Sequence, residues 1–165
     1  MQQFIDVSYR SQEHVLVARW IQQMRTDTDF AVGYHYLLHK AQEHNCLFWL
    51  LDVRRCPPNC ARQAQWLLEA FCPLVASAFS SSGPIYSAHL VFPSHQLHYT
   101  NTVLPILAHL DNHYYKVAIF IEEGPTISWL HGQQPASSPS NSALSHTPAP
   151  QYTATPLLEQ GLLGA

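Results

Sequence analysis

The first 132 residues of this 165-residue chain read as a single α/β domain, a mixed sheet of about five strands opened by an antiparallel hairpin and joined by about four helices. Three observations point there. Two short strand-like runs stand close together at the start. After them, apolar residues recur alternately with helical and with strand period. From residue 133 onward the composition changes to one that cannot form a core.

Residues 4–9 alternate apolar and polar side chains, and residues 15–20 are rich in Val, Leu and Trp. The link from Arg10 to His14 is short enough for a hairpin. Phe30, Tyr34, Leu37, Leu38 and Ala41 then fall on one helical face, with Thr26 or Asp27 available as N-cap and an end expected near Asn45. Residues 46–53 are apolar almost throughout, as a strand covered on both faces would be. Helical period returns over 59–79 through Ala64, Leu67, Leu68, Phe71, Val75 and Ala78, with Pro73 expected to kink or split the helix. A strand over 85–92 ends at Pro93, a short helix interrupted by Pro105 covers 103–110, the last strand covers 116–121, and a short helix with Pro125 in its first turn covers 125–130. Crossover helices between strands demand parallel neighbours after the opening hairpin.

All eight Lys and Arg residues precede Val117, and Glu159 is the one charged residue after Gln133. Residues 133–165, rich in Pro, Ser, Ala, Thr, Gln and Asn, are expected to be disordered. Leu157, Leu158, Leu162 and Leu163 suit either a frayed end or a short docking helix.

Only 12% of residues are charged, and 8 basic residues stand against 11 acidic ones, so the chain lacks the basic footprint of a nucleic-acid binder. Its most apolar run, 46–51, is far too short to span a bilayer, so no membrane insertion is expected. The N-terminus carries no basic segment followed by an apolar run and a small-residue cleavage site, which makes the cytoplasm the expected location. Four cysteines, Cys46, Cys56, Cys60 and Cys72, are too few for a disulfide scaffold and read as thiols.

The order of these elements, with Tyr9-Arg10, residues 15–20, the string Trp49-Leu50-Leu51-Asp52-Val53-Arg54-Arg55 and residues 119–129, resembles the STAS-like or anti-anti-sigma-factor-like domains of bacteria, in an uncharacterised branch. The resemblance covers roughly residues 4–131. It implies a non-enzymatic regulatory module that binds a bacterial regulatory protein or, alternatively, carries or senses a small anionic ligand such as a nucleotide or lipid headgroup. Switching members of the family carry a phosphorylatable Ser or Thr where the central strand turns into the second helix. Here that turn reads Arg54-Arg55-Cys56-Pro57-Pro58-Asn59-Cys60 and contains neither, so the switch does not carry over.

The same turn holds the candidate binding residues, Asp52, Arg54, Arg55 and Asn59. Ligands of open α/β sheets bind beyond the carboxyl ends of the strands, where the next helix presents its N-terminus. Arginine holds carboxylate or phosphate through paired hydrogen bonds, and Asn59 is an acceptable N-cap. A plainer reading pairs Asp52 with one arginine, leaves the other to water and gives Asn59 a cap alone. Without a Gly-rich loop there is neither a P-loop nor a dinucleotide fingerprint, and no cofactor is expected.

Cys56 and Cys60 are spaced C-x3-C, which matches neither thioredoxin-like sites nor common zinc knuckles; a reversible disulfide and a plain surface loop both fit. Eleven histidines include the pairs His35/His39, His95/His98 and His109/His113 at or near helical spacing, but no H-E-x-x-H, so a solvated face is expected and no metal site. Ser87, His89 and Asp111 do not make a triad by spacing, and no G-x-S-x-G elbow is present. Glu122 and Glu123 before Gly124-Pro125 suit the start of a helix. A homodimer is compatible with all of this.

Overall fold

The computed structural model describes residues 4–22, 26–108 and 114–135. Five strands form one sheet in the order β1-β2-β3-β4-β5: β1 Ile5–Arg10, β2 Val15–Trp20, β3 Phe48–Asp52, β4 Ile85–Leu90 and β5 Tyr115–Phe120. The β1/β2 hairpin is antiparallel and every later pairing is parallel. Four helical segments accompany the strands, so the sequence-derived α/β class, hairpin and strand count hold. Among the described residues no helix is long and apolar enough to cross a membrane. The expected disorder of 133–165 lies, beyond Pro135, outside the described residues, as does the fate of the C-terminal leucines.

Helix α1, Asp27–Glu43, starts at Thr26, whose hydroxyl accepts from the Asp29 N–H at 3.1 Å while the Asp29 carboxylate accepts from the Thr26 N–H at 3.1 Å. This reciprocal box satisfies two N–H groups that would otherwise lack partners at the helix start. Phe30, Tyr34, Leu37, Leu38 and Ala41 form its buried face. The chain leaves the helix through Asn45 at φ 44, a left-handed position that asparagine tolerates.

Helix α2 winds continuously through Ala61–Trp66, a π turn Leu67–Phe71 and Cys72–Ala78. Helix α3 repeats the device, with Pro93–His98, a π turn Tyr99–Val103 and Leu104–Ala108. In each, the π turn ends two residues before a proline. The Cys72 N–H reaches the carbonyl of Leu67, and the Leu104 N–H that of Tyr99. A proline lacks a donor and its ring crowds the carbonyl four residues back; the wider turn accommodates both, so Pro73 and Pro105 do not split their helices. The first turns of α3 escape the sequence reading because Leu97, their one aliphatic side chain, is 71% exposed, which leaves no apolar period to detect. Helix α4, Glu123–Gln133, is longer at both ends than residues 125–130.

All five residues of β3 are buried, as its apolar run requires. Neighbouring strand residues face opposite ways. Trp49 meets Phe71 of α2 and Tyr115, whereas Phe48 stacks on Tyr86, which meets Trp129 of α4. Helices α2 and α4 therefore cover opposite faces of the sheet, and the central strands lie between them.

Candidate functional site

The carboxyl ends of β2 and β3 lie side by side because the parallel register sets Arg19 against Asp52. Beyond them opens a cleft of about 420 Å³ lined by Arg19, Trp20, Ile21, Asp52, Arg54, Arg55 and Phe92. Three arginines thus share its lining with one carboxylate, and two of them, Arg54 and Arg19, act on it directly. Phe92, just after β4, is 47% exposed, and Ile21, just after β2, is 40% exposed.

Asp52 organises the charges. Arg54 grips it with two parallel hydrogen bonds, Nε to Oδ1 at 2.9 Å and Nη2 to Oδ2 at 2.8 Å, and the Arg54 backbone N–H adds a third at 3.3 Å. Arg19 Nε stands 3.6 Å from Asp52 Oδ2. Burial pushes the Asp52 carboxyl up, but hydrogen bonds from Arg54 and the charges of Arg54 and Arg19 outweigh it and hold the group below its ordinary value. Arg19 also reaches Glu123 in the first turn of α4, Nη2 to Oε1 at 3.2 Å, and Arg10 donates to the same oxygen at 3.1 Å. Glu123 therefore ties α4 to the opening hairpin in addition to marking a helix start. Arg55 is exposed and makes no ion pair with the described residues. It is the least committed cation of the cleft.

Three of the four sequence-derived candidates, Asp52, Arg54 and Arg55, come together here; Asn59 does not line the cleft. It is buried, its N–H donates to the Tyr99 hydroxyl at 3.3 Å, and its carbonyl lies 2.8 Å from His98 Nε2. It does not cap α2 either: Cys60 occupies that position, and its N–H donates to Gln63 Oε1 at 3.2 Å. The buried Tyr99 claims the backbone of Asn59 and draws the residue inward.

Around Asn59 lies a second set of polar groups. The Asn59 side chain and the Tyr34 hydroxyl lie near one another without a well-formed hydrogen bond, and both ring nitrogens of His89 have no hydrogen-bond partner among the described residues. His89 faces the ring of Tyr99 at 6.4 Å, and burial lowers its pKa to about 4. Nearby, the Tyr115 hydroxyl donates to Ser87 at 3.1 Å. Ser87 and His89 both point to the face of the sheet covered by α2 and α3, while Asp111 lies outside the described residues.

The cysteines are all free; Cys56 is buried and Cys60 exposed. His39 pairs with Glu43 at 3.1 Å and His35 edges against Trp66, so the two histidines serve different neighbours. Among the described residues no group of three or more His, Cys, Asp or Glu converges as metal ligands would. The pair His109/His113 lies outside them.

Sequence reasoning did not find Arg19 or Phe92. Arg19 reads as an interruption of an apolar strand, and Phe92 as the last residue of one. Only the strand register brings them to the cleft. Against family models, curated proteins and solved structures, the chain has no match.

Proposed function

We propose that this protein is a non-enzymatic binding module of STAS-like type whose cleft at the carboxyl ends of β2 and β3 receives an anionic group, a carboxylate or phosphate, carried on a small ligand with a flat or apolar part. The observation that carries the reading is the cleft itself, a concavity in the size range of small-molecule sites lined by three arginines, one carboxylate and a half-exposed aromatic ring. Arg55 supplies a guanidinium that makes no ion pair with the described residues, Arg54 is held in place by Asp52, and Phe92 offers a stacking face. The hairpin followed by parallel strands is the order that a STAS-like domain has, and it supports the family part of the reading. Fold alone does not assign the ligand.

A second reading is favoured by the half-exposed Ile21 and Phe92. An apolar rim beside a basic pocket also suits an acidic segment of a bacterial regulatory protein. Native mass spectrometry of untagged protein from its own host separates the two: a discrete small adduct supports the ligand reading, and a second polypeptide released by Arg55→Ala supports the docking reading. The direct test is an NMR titration with adenosine monophosphate and with benzoate. Shifts confined to the amides of residues 19–21, 54, 55 and 92, with affinity falling about tenfold in Arg55→Ala, are expected. Unchanged spectra at millimolar ligand would remove the small-ligand reading.

A further inference from the structure

Strand β1 is one edge of the sheet, with no strand of the described residues on its outer side, and it carries a charge pattern that complements itself. We infer that β1 is a self-association surface, on which a second copy of this chain pairs antiparallel about a twofold axis through Ser8.

The backbone geometry comes first. The Ile21 N–H donates to the Phe4 carbonyl at 3.0 Å, so Phe4 and Ile21 form a hydrogen-bonded pair at the end of the β1/β2 ladder. Such pairs alternate along an antiparallel ladder. With the observed register, Asp6, Ser8 and Arg10 bond to β2, and the backbone groups of Ile5, Val7 and Tyr9 turn toward the open edge. The strand contains no proline, and its six residues keep one uninterrupted register with β2. Two of the usual protections of an edge, proline and the bulge, are therefore absent from this strand.

The side chains then select one register. Antiparallel pairing centred on Ser8 sets Val7 opposite Tyr9 of the second copy, and both carry edge-facing backbone groups, so they exchange hydrogen bonds. It also sets Asp6 opposite Arg10 of the second copy, twice by symmetry, at the closely spaced non-hydrogen-bonded positions. Centring on Val7 would place Asp6 against Ser8, and centring on Tyr9 would place Arg10 against Ser8, so either leaves the charges unmatched. Asp6 is exposed and makes no ion pair with the described residues. Arg10 is one-third exposed and shares its guanidinium with Glu13 and Glu123. An isologous pair of this kind closes on itself and joins two five-stranded sheets into one.

Sedimentation of the full chain between about 1 μM and 1 mM, the range of weak association, tests the inference. The mass is expected to rise with concentration from the monomer value of 18.7 kDa toward twice that. Asp6→Arg sets arginine against Arg10 at both positions and should weaken association at least tenfold, and the double exchange Asp6→Arg with Arg10→Asp should restore it. Where the exchange at Arg10 disturbs folding, as read by circular dichroism, Val7→Pro decides. It removes an edge-facing N–H that β2 does not use, and should leave a folded monomer. A monomer at every concentration, or a dimer indifferent to Asp6→Arg and Val7→Pro, would overturn the inference.

Discussion

Arg54 holds Asp52 around the end of β3 by two parallel hydrogen bonds of 2.9 and 2.8 Å, in a cleft where any incoming anion meets the same guanidinium. Asp52 is thus both a scaffold for Arg54 and a resident competitor for the site. Asp52→Asn is expected to act in opposite directions on two readouts. Losing the charged half of this pair lowers stability by about 1–3 kcal/mol, measured by urea unfolding. The affinity of the cleft for an anion, measured by calorimetry with the same ligand, should rise.

The two arginines of the turn should separate under mutation. Arg54→Ala strands a buried carboxylate, so it is expected to lower stability as well as anion binding. Arg55→Ala removes an exposed cation that makes no ion pair with the described residues and should leave the unfolding free energy within about 0.5 kcal/mol of the parent while weakening binding. Equal destabilisation by both would show that Arg54 does not support Asp52.

His89 gives the protein an acid-sensitive core. Its folded pKa is about 4 against an ordinary value of 6.5. As pH falls below 6.5 the unfolded chain takes up a proton that the folded chain refuses, so stability declines between pH 6.5 and about 4, by on the order of 3 kcal/mol in total. Asp52 behaves differently, since its folded pKa is depressed. Its contribution is present above the ordinary carboxylate value and is lost as pH falls through the lower, folded one. In urea unfolding followed against pH, His89→Leu should remove the decline above pH 4 and leave the more acidic one.

Cys60 is the exposed thiol and Cys56 is buried beside it in sequence. Titration of the native protein with a disulfide reagent should label a single thiol, absent in Cys60→Ser, and all four after unfolding in denaturant. Rapid labelling of a second thiol that is lost in Cys56→Ser would mean that the 53–60 turn opens.

Phe71, at the end of the π turn in α2, packs against the rings of Tyr34, Trp49, Trp66 and Tyr115. Phe71→Ala leaves a cavity among four aromatic side chains and should reduce stability by about 3–5 kcal/mol. Thermal unfolding by calorimetry checks it.

Local periodicity is enough to set the element types. Period is a local property, so the face of α1 from Phe30 to Ala41, the doubly buried β3 and the opening hairpin were legible before any coordinates. The arginines of the 54–55 turn were legible too, because they directly follow the central strand. Long-range pairing sets the rest. Arg19 belongs with Asp52 only because β2 and β3 pair in parallel in one register, and periodicity carries no record of register between distant strands. Asn59, a plausible cap by residue type, is buried instead because Tyr99, on another helix, takes its backbone N–H. The early turns of α3 form around an exposed Leu97 and left no apolar stripe to read. Local pattern sets how each segment folds, whereas the cleft arises where strand ends meet, and that meeting depends on pairings made across the whole chain.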